Sequence, residues 1–87
     1  MKFNEFIRLL QEKSNYYLKE INKGSFVGHI EFTKKTITED KIKVNVSLYE
    51  GDRKLYSPAT SHKTSMYIAI LFAISELTRE NRMNLTH

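Results

Sequence analysis

The stretch Lys41-Ile42-Lys43-Val44-Asn45-Val46-Ser47-Leu48-Tyr49 decides the fold class. Ile42, Val44, Val46 and Leu48 point one way. Lys43, Asn45, Ser47 and Tyr49 point the other. Strict alternation over nine residues is the period of a strand with one buried face and one wet face, as in an antiparallel sheet. On both sides of this strand the sequence supplies turns. Thr38-Glu39-Asp40-Lys41 is a polar turn candidate before it, and Glu50-Gly51-Asp52 is the turn after it.

Working outward, Ser25 to Thr33 alternates as well, with Phe26, Gly28, Ile30 and Phe32 against Val27, His29, Glu31 and Thr33. This reads as a first strand that can run on through Ile37. Arg53 to Tyr56 reads as a short third strand with Leu55 as its core residue. Before the strands, Phe3, Phe6, Ile7, Leu10, Ser14, Tyr17, Leu18 and Ile21 follow the i, i+3, i+4, i+7 rule of an amphipathic helix. Asn4 suits its N-cap, Glu5 its first turn and Gly24 its C-terminal stop, so a helix over about residues 4–23 is predicted. The Ser14-Asn15 pair is the weak point, where a break could fall. After the strands, Ser57-Pro58 opens a second helix, since Pro is tolerated at the first helical position and Ser is a good N-cap. Thr60 or Ser61 offers a later cap. This helix is predicted to run through Leu77 and to fray near Asn81. The prediction is an α+β fold of order α-β-β-β-α, a three-stranded antiparallel sheet with two helices packed on one face.

At 87 residues the length fits one domain spanning 1–87. A domain this short buries only about 60% of its unfolded surface, so its core must be well made. There is no cysteine, which excludes a disulfide framework and thiolate metal ligands. The formal charge is +4, from 14 Lys and Arg against 10 Asp and Glu. That balance permits nucleic acid or an acidic protein as partner, although the basic residues run interleaved with acids along the whole chain. Glu5 and Arg8 interrupt the N-terminal apolar run, so no signal peptide is read there. The longest apolar run, Met66 to Ile74, is far below the roughly 20 residues that span a bilayer. A cytoplasmic protein without a membrane anchor is the expectation.

Catalytic constellations are missing from the sequence. His29, His62 and His87 are scattered, with no His-x-x-x-His pair, so no metal site is predicted. Gly24-Ser25-Phe26-Val27-Gly28 lacks the Gly-Lys-Ser/Thr ending of a phosphate loop. Ser61 and His62 are neighbours, which on a helix point apart and form no dyad. The expectation is a binding protein without enzymatic activity or cofactor.

Three surfaces carry the binding readings. The first is the start of helix 2, where Ser61, His62 and Lys63 stand among Ser57, Thr60, Thr64 and Ser65. Free N–H groups and the helix dipole favour an anion there, such as a phosphate, while the same hydroxyls also suit plain capping. The second is the wet face of the sheet. Lys41, Lys43 and Tyr49, extended by Lys34 and Lys35, could track a nucleic-acid backbone and stack a base. Lysines on a wet face also guard a sheet edge against pairing. The third is Met66 to Ile74, apolar on every side of its helix. One stripe suffices to pack on a sheet. The surplus is to be covered by helix 1, by a second copy in a homodimer or by a protein partner.

The α-β-β-β-α order, with Ile42-Lys43-Val44-Asn45-Val46-Ser47-Leu48, a short turn and then Ser61-His62-Lys63 opening an Ala-containing helix, resembles the double-stranded-RNA-binding domain. In that family a lysine-rich helix start grips phosphates, and helix 1 with a strand loop reads the minor groove. Matched by position, Lys63 corresponds to one lysine of that helix start. His62 stands where a second basic residue is usual, and Met66 where a further lysine is. The resemblance implies a nucleic-acid-binding module. The same order with an Ala- and Ile-rich last helix is also similar to small phage α-β-α sandwich proteins of unknown function. That similarity implies an accessory or inhibitor protein acting by protein–protein binding.

Overall fold

A computed structural model describes residues 3–23 and 27–85. The order is α1 (Phe3–Asn22), β1 (Gly28–Ile37), β2 (Ile42–Glu50), β3 (Arg53–Lys54) and α2 (Thr60–Leu85). The three strands form one antiparallel sheet in the order β1-β2-β3. The α+β class and the α-β-β-β-α succession are as the alternation and helical periodicities predict. Ser25 and Phe26, the expected start of the first strand, lie outside the described residues, as does Gly24.

Helix α1 is unbroken at Ser14-Asn15. Ser14 is fully buried there, in the row Ile7, Leu10, Ser14 and Leu18. Those spacings of three and four set one face against Met66, Ala69, Ala73 and Leu77 of α2, which repeat at the same interval. Ser14, Ala69 and Ala73 are all completely covered, and their small side chains let the two helices approach closely. The left-handed turn that ends α1 falls on Lys23, with φ 41° and its N–H bonded to the Lys19 carbonyl at 3.0 Å.

The inner face of the sheet contributes Ile30 and Leu48, with Phe32 and Val46 packed against them, and Val44, which packs against Ile7, Leu10, Ala73 and Leu77. Both helices therefore sit on one face. Helix α2 lies over the sheet, and α1 lies towards the outer margin of β1. Between β2 and β3, Gly51 takes φ 62° at the first position of a two-residue turn, the pattern of a type II′ hairpin. The closing residues Glu50 and Arg53 are ion-paired at 3.0 Å.

Three boundaries depart from the sequence reading. Strand β3 pairs only over Arg53–Lys54, where a strand to Tyr56 is expected. Leu55 still donates its N–H to the Leu48 carbonyl at 2.9 Å, but the chain then bends away. Pro58 has no N–H to give to a sheet, and the connection must climb to α2. Helix α2 begins at Thr60, not at Pro58. The Ala59 carbonyl accepts the N–H groups of His62 and Lys63, each at 3.0 Å, so Ala59 holds the cap position and Ser57 does not. At its far end the helix backbone continues to Leu85, past the expected fraying near Asn81, because no Gly or Pro interrupts it.

Candidate functional site

A β-sheet of three strands has two outer edges, each a row of backbone N–H and C=O groups in need of partners. The outer edge of β1 is occupied by side chains of α1. Asn15 accepts the Ile30 N–H at 2.6 Å and donates to the Ile30 carbonyl at 3.0 Å. One turn earlier in the helix, Gln11 accepts the Phe32 N–H at 2.9 Å. An amide side chain carries the same donor and acceptor as a peptide group, so Asn15 bonds to Ile30 as a neighbouring strand would.

The outer edge of β2 is different. Because β3 ends at Lys54, no described residue pairs with β2 on this side between Ile42 and Ser47. The orientation follows from the hydrogen bonds. Leu48 turns its carbonyl outward to Leu55, and a strand alternates its polar groups with period two. Val46 and Val44 therefore present their N–H and C=O groups to the same open side. Asn45 turns the other way, accepting from the Thr33 hydroxyl on β1 at 3.5 Å.

The open edge forms the floor of a groove of 580 Å³. Residues 44–48 run along it, Lys54 and Tyr56 stand at one side, and Lys63, Met66 and Tyr67 of α2 at the other. Tyr56 is 85% exposed and Tyr67 57% exposed. The Lys54 ammonium lies 5.3 Å from the centre of the Tyr56 ring, a cation–π contact. Among the described residues no Asp or Glu lines the groove.

The residues singled out in the sequence divide between this groove and other places. Lys63 is exposed and lines the groove; Ser61 is exposed one turn-step before it, and His62 between them is half-buried. Lys41 and Lys43 are exposed and border a separate shallow depression of 160 Å³ with Thr36 and Thr38, at the far end of the β1–β2 hairpin. A bulge between Phe32 and Lys34 shifts the register of β1. Lys34 is thus opposite Asn45 and Lys35 opposite Val44, so the alternation read for Ser25 to Thr33 does not carry on unchanged to Ile37. The side chains of Lys34 and Lys35 lie outside the described residues.

Tyr49 is half-buried, and its ring is already stacked. His29 lies directly across the strand pair, with ring centres 5.0 Å apart and planes 12° from parallel. His29 Nε2 is 3.3 Å from the Glu31 carboxylate. Burial first, and then the Glu31 carboxylate, push the Tyr49 phenol above its usual pKa. Ser47, expected on the wet face, is buried opposite Glu31. Among the described residues no group of three or more His, Asp and Glu could hold a metal ion. No helix among them is long and apolar enough to cross a membrane.

Of the residues singled out in the sequence as binding candidates, Lys63 and Tyr67 line the groove; Lys54, which also lines it, is not among them. A signal for the groove was present in Pro58, which limits how far β3 can pair. Compared with family models, with curated proteins and with solved structures, the chain matches none.

Proposed function

We propose that this chain is a small binding module without catalytic activity, which receives an extended segment of a partner protein as an added strand along β2. One observation carries the reading. Five consecutive residues of β2 form the floor of an open groove, and the outward N–H and C=O groups of Val44 and Val46 have no strand beside them among the described residues. Strand addition uses such an edge, with main-chain hydrogen bonds for affinity and flanking pockets for alternate side chains. Met66 and Tyr67 supply the apolar wall of such a pocket. The role that fits is that of an accessory or inhibitor protein acting on another protein.

A single-stranded nucleic acid in the same groove is a second reading, favoured by exposed Tyr56 and Tyr67 beside Lys54 and Lys63. The edge argues for the first. Phosphates accept hydrogen bonds from N–H groups but are repelled by the carbonyls that alternate with them. A peptide backbone satisfies both.

The test is a display library of random ten-residue peptides panned on the full chain and counter-panned on Val46→Pro. Proline removes the outward N–H of residue 46, a substitution that edge strands tolerate. Peptides that bind the parent, fail on Val46→Pro and slow amide exchange at Val44 and Val46 are expected. A library yielding no binder of this kind would refute the proposal.

A further inference from the structure

Resting on the strand-addition reading, we infer that the segment β2 receives is acidic, with carboxylates on its outward face and apolar residues on its inward face. The groove carries cations on both sides of the sheet plane. Lys54 pairs with Tyr49 in the β2–β3 register and so stands on the outward face, while Lys63 projects from the start of α2 on the inward side. Lys43, exposed one residue before the groove, continues the outward row. Among the described residues no acid lines the groove to neutralise them. Two carboxylates of the sheet have partners of their own. Glu31 faces His29, and Glu50 is paired with Arg53.

A strand laid against Val44 and Val46 would place alternate side chains on the two faces of the extended sheet. On the inward face they meet Met66 and Tyr67, which calls for apolar residues. On the outward face they lie beside Lys43 and Lys54, where carboxylates across from lysines are favourable and lysines are not. The same charge argues against a second copy of this chain as the occupant. Each copy carries +4 overall and brings its own Lys43, Lys54 and Lys63 to the junction. Opposite charge in the partner also speeds and orients encounter.

The experiment uses three labelled ten-residue peptides of one alternating Val/Thr strand sequence, identical except for Glu, Gln or Lys at alternate positions. Binding to the full chain is followed by fluorescence polarisation, with a ten-nucleotide oligothymidylate as a fourth probe. The Glu peptide is expected to bind about ten-fold more tightly than the Lys peptide, as a few exposed ion pairs allow. The Lys54→Glu/Lys63→Glu double variant is expected to reverse that order. Binding should be lost on Val46→Pro. Since that variant could fail to fold, slowed amide exchange at Val44 and Val46 of the parent on adding the Glu peptide is the second readout. Equal affinity for the Glu and Lys peptides, with Val46→Pro still abolishing both, overturns the acidic inference and leaves strand addition standing. Peptide binding that neither depends on residue 46 nor slows exchange at Val44 and Val46 overturns strand addition itself. Tighter binding of the oligonucleotide, insensitive to Val46→Pro, overturns both in favour of nucleic acid.

Discussion

Along β1, Asn15 and Gln11 take the place of a neighbouring strand; along β2, between Ile42 and Ser47, nothing among the described residues does. The two strands pair with each other over nearly their whole length, and Phe32 lies directly across from Val46. Each turns an N–H outward, one to a glutamine and the other to an open groove. The β2 edge is not left open for want of means to close it. This fold closes one with two amides from a helix it already has, and a similar device on α2 would close the other. An open edge invites aggregation. The lysines that flank it keep like edges apart and leave it open to a strand of opposite charge, the occupant proposed above.

The largest expected effect comes from removing the device. Asn15→Ala leaves the N–H and C=O of fully buried Ile30 without partners, and should cost about 2 to 4 kcal/mol in urea denaturation. Gln11→Ala breaks one such bond and should cost roughly half as much. If Asn15→Ala is nearly neutral, water or a shifted helix satisfies the β1 edge, and the contrast between the edges weakens.

Amide exchange compares the edges without mutation. The Ile30 and Phe32 amides should exchange at least about a hundred-fold more slowly than those of Val44 and Val46, although all four belong to outer edges. Comparable protection at all four would mean that the β2 edge is already covered.

Proline sharpens the same contrast in stability. Val46→Pro should cost about 1 kcal/mol, because no strand among the described residues accepts its N–H. Ile30→Pro breaks a bond to Asn15 and disturbs a buried position, and should cost about 3 kcal/mol. Equal costs would show that the Val46 N–H has a partner after all.

How much of this could be read in advance differs between the two edges. The order of the three strands, the inner face of β2 and the helical stripe of α1 are legible because each rests on a short period repeated several times. Lys41, Lys43 and Lys63 were legible as exposed cations. The closing of β1 was not, since Ser14-Asn15 reads as a weak point when judged by helix propensity alone. Asn15 is there to bond Ile30, fifteen residues away, and tertiary partners of that kind leave no periodic trace. The open edge was hidden by Leu55, whose apolar character extends the apparent third strand to Tyr56. Leu55 does face the core, but it makes its one backbone bond as the chain leaves the sheet. Tyr49 illustrates a third limit. Its place on the wet face was readable, whereas its stacking on His29 depends on a register that only pairing reveals.

The smallest effect concerns what holds α1 over the β1 edge. At the seam between the helices, Lys13 reaches Glu76 and Glu80, each at 3.5 Å, and the Tyr17 hydroxyl donates to Glu76 at 3.0 Å. Burial draws the Lys13 pKa down, but the two carboxylates outweigh it and leave the ammonium above its usual value. The Tyr17 phenol is also raised, first by its hydrogen bond to Glu76 and then by burial. Both groups hold their protons more tightly folded than unfolded. Their contribution is therefore complete below about pH 10 and is lost as pH rises through the folded values. Denaturation at about pH 8 and about pH 11 should show the parent losing more stability than Glu76→Gln, which lacks the charge that raises both. Tyr49, raised as well, is common to the two proteins and cancels in the difference. Near neutral pH the substitution should cost less than about 1 kcal/mol, as befits a half-exposed cluster. Parallel profiles would mean that α1 is held by its apolar row, Asn15 and Gln11, so that the covered edge owes nothing to charge.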